Sequence, residues 1–268
     1  MGINIGNTGE TGLFVGGENI IRDNLIFYLD PGDYNCVPDG TGNDDTVKEL
    51  ALSDTGNITT NDDFMSEIWT TADGAPCFTF DGIEHQINFP TIDVSEFVTG
   101  NSTTAGAITF CVWFRTSHMD GAASGGLIWI ENTTAGVYIY NGNLYVFADD
   151  DDGGAYGLTQ VDVTSYNDDN WHFLVGVMNN TTSTIGDTSA GACAMYIDDM
   201  ITPVNTSTLN ASFEFKDTNA DLNIGSRIVL GIPYFYEGEI GPVMMYSDYC
   251  LNEDERIYNY NYHRHRIQ

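Results

Sequence analysis

The chain has 268 residues, and its 39 Asp and Glu against 8 Lys and Arg give a formal charge of −31. That imbalance repels phosphate backbones and anionic headgroups, which sets nucleic acid and bare membrane aside as partners. With 29 Gly, 15 Tyr and 14 Phe, the composition suits many strands joined by loops, and the length fits one large β-sandwich domain.

Met1 to Asn24 holds six glycines between short apolar pieces, too little to bury a core. It reads as an extended arm, residues 1–24, either a strap that orders on a neighbouring subunit or a disordered terminus. It shows no basic start followed by an apolar run, and no later stretch approaches a membrane span, so synthesis in a cytoplasm without a signal peptide is expected. Asn24 to Asp30 is a strand, stopped by the turn Asp30-Pro31-Gly32-Asp33. From Asn35 to Gly74 the chain reads as an acidic loop covering one sandwich edge, with an apolar island near Trp69. Cys77 to Gly82 and Ile83 to Phe89 form two strand arms about a turn. Ala107 to Arg115 has the strongest β propensity. Gly126–Ile130, Val137–Tyr140 and Asn143–Phe147 follow as a meander, the last two joined by Asn141-Gly142, a type I′ turn pair.

Asp149-Asp150-Asp151-Asp152 then makes an acidic loop whose carboxylates are candidate Ca²⁺ ligands, with a solvated turn as the alternative. In Trp171 to Met178, Phe173, Val175 and Val177 alternate with Leu174, Gly176 and Met178, so both faces are apolar and the strand is covered on both sides or packs in a sandwich. A polar loop leads to a partner strand, Ala192 to Asp199, closed by a turn. Ala220–Ser226 and Glu237–Ser247 are further strands. Leu251 to Ile257 reads as a short helix capped by Asn252, with acids in its first turn.

The end, residues 258–268, is a basic Tyr/His/Arg tail. Arg256, Arg264 and Arg266, with Tyr258, Tyr260 and Tyr262, are candidates for attachment to an acidic surface of a like subunit. Deleting the arm or the tail is expected to leave a folded sandwich, residues 25–257, that no longer attaches.

The five cysteines, Cys36, Cys77, Cys111, Cys193 and Cys250, are odd in number and widely spaced. Neither a zinc site nor a disulfide framework is indicated, and Cys111 and Cys193 read as small buried hydrophobes. No Gly-x-Ser-x-Gly elbow is present, and Glu237 and Glu239 would share one face of a strand that also carries Gly238 and Gly241. Tyr138, Tyr140, Tyr145, Tyr234 and Tyr236 either stack on sugar rings or pack within the sandwich.

Several motifs in sequence order resemble the concanavalin A-like lectin/glucanase superfamily in its laminin-G and pentraxin-like branch. They are Leu25 to Asp30, Phe80-Asp81-Gly82, Phe110 to Trp113, Trp171-His172 with Tyr196-Ile197-Asp198-Asp199, Leu222-Asn223-Ile224-Gly225, and Gly238-Glu239-Ile240. The resemblance implies an all-β concanavalin A-like jelly roll in which the closing strand lies beside the opening one, and His172 is structural. The glucanases of the superfamily carry a Glu-x-Asp-x-x-Glu strand that this chain lacks, so no enzyme is expected. Such chains without a secretion signal resemble structural proteins of tailed, marine bacteriophages. That implies a virion-surface protein decorating the head or part of a fibre, with capsid or tail proteins and copies of itself, trimers being common, as partners. A Ca²⁺-dependent glycan-binding lectin is the alternative, and no cofactor other than Ca²⁺ is expected.

Overall fold

The computed structural model describes residues 20–33, 35–36, 46–48, 50–51, 55–59, 69–72, 74–92, 106–118, 124–131, 135–149, 156–209 and 220–268. Strands numbered in chain order build two antiparallel sheets. The first runs β14 (Asn205–Thr208), β13 (Ala192–Ile197), β12 (His172–Asn179), β7 (Ala107–Arg115), β18 (Glu237–Ser247), β5 (Ala75–Asp81) and β4 (Trp69–Ala72). The opening strand, β1 (Leu25–Leu29), lies beside the second half of β18, with Tyr28 opposite Met244. The second sheet runs β11 (Tyr156–Asp162), β10 (Asn143–Asp149), β9 (Ala135–Tyr140), β8 (Ser124–Ile130), β15 (Ala220–Ile224), β6 (Gln86–Ile92), β3 (Thr55–Thr59) and β2 (Thr46–Lys48). A separate hairpin pairs β16 (Ser226–Val229) with β17 (Ile232–Phe235).

Alternation decides which side chains meet between the sheets. Phe110, Val112 and Phe114 of β7, Leu174 and Met178 of β12, and Val243 and Met245 of β18 point inward, against Ile128, Val137, Val146 and Ile224 of the second sheet. Gly176 is an inward residue packed directly under the second sheet, since a Cβ there would meet the Val146 side chain at 2.5 Å. Between them the strands bury Cys111, Trp113, Phe173, Val175, Tyr196, Met244 and Tyr246 on the opposite face of the first sheet. Both faces of this sheet are thus buried, as the doubly apolar run from Trp171 to Met178 requires.

The cover on that second face is α1 (Glu253–Ile267). Asn252 caps it through a reciprocal pair: its side chain accepts from Glu255 N at 3.1 Å, and Glu255 Oε2 accepts from Asn252 N at 2.8 Å. Glu253, Asp254 and Glu255 occupy the first turn and Arg264, His265 and Arg266 the last, which suits the helix dipole at both ends. Tyr260 stacks on Trp113 with ring centroids 5.4 Å apart and planes 12° from parallel. The segment before β1 joins this cover: Ile20 is buried, and Ile21 N donates to Asn259 Oδ1 at 3.0 Å.

The helix therefore corrects the expected tail. Residues 258–267 continue the helix that Asn252 starts. The loop expected over Asn35–Gly74 also contains structure, with β2, β3 and β4 pairing as short strands at the sheet ends. Two further strands, β11 and β14, follow segments read as loop, and the sheet edges meet there, where Asn205 Nδ2 donates to Gln160 O at 2.6 Å. Of the expected arm, residues 1–19 lie outside the described residues.

Candidate functional site

The sequence-named residues fall in different places. Asp150, Asp151 and Asp152 lie outside the described residues, and of Asp149 the structure gives its backbone place, closing β10 opposite Tyr156. Among the described residues no group of His, Cys, Asp and Glu is arranged to hold a metal ion. The residues proposed for attachment are engaged within the chain. Arg256 is buried, its two terminal nitrogens each 2.9 Å from a different Asp187 carboxylate oxygen and its guanidinium 3.8 Å over the Tyr196 ring. Arg266 bonds the buried Asp30, Arg264 lies over Tyr260, and Tyr262 packs edge-on to His263. Tyr258 is half-buried on the same helix. An arginine enclosed in this way cannot reach a partner, so attachment through Arg256 is ruled out.

The tyrosines separate cleanly. Tyr236 is buried between the sheets, where its hydroxyl donates to Arg115 O at 2.9 Å and burial raises its pKa well above the usual phenol value. Tyr138, Tyr140, Tyr145 and Phe147 instead alternate with Val137, Ile139, Leu144 and Val146, whose side chains point inward. They therefore occupy the outer face of the second sheet.

On that face Tyr138 and Tyr145 are register partners stacked at 4.8 Å and 7°. Trp129 and Phe147 stack across Gly136 at 6.5 Å, and Tyr138 meets both edge-on, at 5.7 and 5.8 Å. Trp129 and Tyr138 form the buried base, while Tyr140 is 45% exposed. The result is a rigid aromatic shelf. On adjacent strands the face turns polar: Asn223, opposite Trp129, donates to Glu131 Oε1 at 2.9 Å, and Asn88 donates to Asn223 Oδ1 at 2.9 Å. Burial raises the Glu131 pKa despite that bond.

The β16–β17 hairpin crosses this face. It fits because β8 carries glycines beneath it: a Cβ on Gly126 would meet Ser226 O at 2.2 Å, and one on Gly125 would meet Tyr236 Cα at 2.6 Å. Trp129 Nε1 donates to Ile228 O at 3.0 Å and holds the hairpin down. Arg227 thereby comes to rest over the shelf, 3.9 Å from the Tyr138 ring centroid, 5.1 Å from Trp129 and 5.9 Å from Tyr140. Its cross-strand partner is Tyr234, which is 37% exposed. Sequence reasoning missed Arg227 entirely. The signal was Gly125-Gly126, where Gly126, opposite Tyr138, leaves room for the backbone of Ser226.

Beside the hairpin base is a cleft of ≈ 160 Å³ lined by Gly82, His118, Ser124, Phe235, Tyr236 and Glu237. His118 Nδ1 lies 3.2 Å from Glu237 Oε1. The cleft falls below the roughly 300 Å³ at which a pocket begins to enclose a small-molecule ligand.

No family model matches the sequence, and no curated protein does. Solved structures do match. The chain is similar to the botulinum neurotoxin serotype D binding domain, with 13% identity and a TM-score of 0.59, over 91% of this chain and 52% of that one. It is likewise similar to the serotype D ligand-binding domain in complex with N-acetylneuraminic acid, with 13% identity and a TM-score of 0.57, over 91% and 52%. The binding domain of botulinum neurotoxin DC in complex with rat synaptotagmin II matches at 11% identity and a TM-score of 0.55, over 92% and 52%. The chain thus spans about half the length of these structures. At such identities the likeness speaks for architecture, and with the two sheets and their register it establishes a concanavalin A-like β-sandwich jelly roll with a C-terminal helix.

Proposed function

We propose that this chain is a non-enzymatic recognition module that binds glycan on the outer face of its second sheet. The observation that carries this reading is the shelf itself, where Tyr140 and Tyr234 stand exposed on a base of interlocked rings. A pyranose presents an apolar face of C–H groups that stacks on such rings, and a fixed base spares the ordering cost of binding. The adjacent Asn88–Asn223–Glu131 row supplies polar groups of the kind that read hydroxyls. The fold likeness to ligand- and receptor-binding domains supports recognition over catalysis.

A glycan panel followed by titration calorimetry tests the reading. Tyr140→Ala is expected to weaken the best ligand about tenfold or more, which is what roughly 1.4 kcal/mol of lost stacking gives, without moving the melting temperature. Equal binding by Tyr140→Ala would refute the shelf. Release of reducing ends from a polysaccharide by the purified protein would refute the non-enzymatic part. A place on a phage head or fibre is a proposal that rests on the strand signature, and the copy number per purified particle tests it: hundreds mean head decoration, a handful a fibre adhesin, and none sinks the virion placement.

A further inference from the structure

The described arginines differ in how their charge is balanced. Arg115 Nε lies 3.1 Å from Asp169 Oδ1, Arg256 holds Asp187, and Arg266 holds Asp30. Arg227 is half-buried yet has no carboxylate or hydrogen-bond partner among the described residues, and its Nε–H is shielded from water without gaining an acceptor. The titratable groups that chiefly act on it are the phenols of Tyr138, Tyr234, Tyr140 and Tyr145, while burial lowers its pKa. Neutral phenols do not balance a cation.

In a chain of charge −31, a half-buried arginine without a counterion is an unusual expense. Fastening the hairpin does not require it, since an apolar side chain on Tyr138 would do so without desolvating a charge. The guanidinium carbon lies 3.9 Å from the Tyr138 ring centroid, and a guanidinium carries parallel N–H donors whose geometry matches a carboxylate or sulfate. The negative field of the whole molecule works against anions, so an anion site must be local and short-ranged, as this one is.

We propose that Arg227 is an anion-binding group of the shelf and that the ligand is an acidic saccharide, whose carboxylate or sulfate meets the guanidinium edge while its ring lies on the neighbouring tyrosines. This rests on the glycan reading above and narrows it to a charge class. The hairpin that carries Arg227 and Tyr234 then acts as the specificity element of the face.

The test uses matched pairs of probes: sialyllactose with lactose, a galacturonate oligomer with its methyl ester, and a sulfated galactan oligomer with its desulfated form. The expected result is that the acidic member of at least one pair binds about tenfold or more tighter, and that added salt narrows the gap. Arg227→Gln should abolish the preference by weakening the acidic member, and keep the melting temperature within a few degrees; Arg227→Lys should retain part of it. Which pair shows the preference distinguishes carboxylate from sulfate. Equal, Tyr140-dependent binding of both members would overturn the acidic-ligand inference and leave the glycan reading standing. An acidic preference that survives in Arg227→Gln would overturn the role of Arg227. Should that variant fail to fold, a salt-independent preference in the unaltered chain is the overturning result. Binding of no probe in any pair would overturn both readings.

Discussion

His172 offers a sharp test of how the β12–β13 pair is held. Its Nδ1 lies 2.7 Å from Asp198 Oδ2 and its Nε2 3.0 Å from Asp168 Oδ1, with the Tyr166 and Phe114 rings against the imidazole. Asp198 also accepts from Phe173 N at 2.9 Å, so one carboxylate ties the start of β12 to the turn after β13. Burial pulls the His172 pKa down, but the two carboxylate bonds outweigh it and hold it above the usual 6.5. A raised folded-state pKa contributes stability that is complete below about 6.5 and lost as pH rises through the folded value. Two charge-assisted bonds would give roughly 1.5–3 kcal/mol each when enclosed. The side chains of Asp168 and Asp198 are 43% and 37% exposed, however, and solvent screening cuts the pair to about 2 kcal/mol in all. A neutral imidazole keeps one donor, so titration costs about 1 kcal/mol, or about 2–4 °C of melting temperature for a chain of this size. The assay is the melting temperature of the unaltered protein and of His172→Gln from pH 5.5 to pH 9. The advantage of the unaltered chain is expected to shrink as pH rises, and the acidic background cancels in the difference. An advantage that stays constant or grows with pH would refute the clamp.

Asp30→Asn leaves Arg266 without its counterion beside Tyr28 and is expected to destabilise by about 3 kcal/mol in urea unfolding. Burial raises the Asp30 pKa but Arg266 outweighs it, so this stability is present above about 3.8 and should be lost as pH falls below it; a variant that melts like the parent contradicts the assignment. Removing Tyr258–Gln268 takes Tyr260 off Trp113 and Phe173 and should yield an insoluble chain, contrary to the expectation that residues 25–257 fold without the tail; a soluble, cooperatively melting product would restore that expectation. Leu230→Asn should raise the melting temperature by about 1–3 °C, because Leu230 is 98% exposed at φ 51° in the first position of a type I′-like turn, where Asn is at ease; a fall would mean that the leucine is anchored. The Ca²⁺ proposal for Asp149 to Asp152 predicts a melting temperature raised by Ca²⁺ and returned by a chelator, and identical melts would remove it.

Most strands were legible because their alternation is unbroken, and Asn141-Gly142 takes the positive φ values, 49° and 73°, that its turn type demands. The Trp-His and Tyr-Ile-Asp-Asp motifs read as one hairpin, and the His172–Asp198 bond is the physical reason that they occur together. Besides the short strands β2, β3, β4, β11 and β14, two elements escaped: the continuation of α1 beyond Ile257 and the β16–β17 hairpin. The stripe of α1 that faces the sheet is Arg256, Asn259, His263 and Ile267, helical in spacing but polar in character, so hydrophobic periodicity is silent there. Each of the three polar groups has a partner instead: Arg256 holds Asp187, Asn259 donates to the Tyr246 hydroxyl at 2.8 Å, and His263 Nε2 lies 3.2 Å from Tyr28 Oη. The β16–β17 hairpin hides for another reason. Its turn is Leu230-Gly231 rather than Asn-Gly, and the Gly125-Gly126 pair that receives it lies about a hundred residues earlier in the chain.

These two hidden elements decide what each sheet is used for. Both sheets turn one face to the shared core, and each is left with a second face. On the first sheet that face carries Trp113, Phe173 and Val175, and a single 15-residue helix, fixed by buried polar bonds that demand one geometry, closes it against solvent. On the second sheet the remaining face carries rings that interlock among themselves and a row of amides and carboxylates bonded to one another. Such a face is stable without a full cover, because its base is already packed and its polar groups already paired. Across it the chain lays a two-stranded hairpin, which covers Trp129, leaves Tyr140 and Tyr234 exposed and holds Arg227 half-buried. A sheet sealed on both sides gives rigidity, and the rigid sandwich lets its partner sheet display aromatic faces and one unbalanced cation at fixed positions. Under the recognition function proposed above, that division of labour places specificity in the hairpin and stability in the helix.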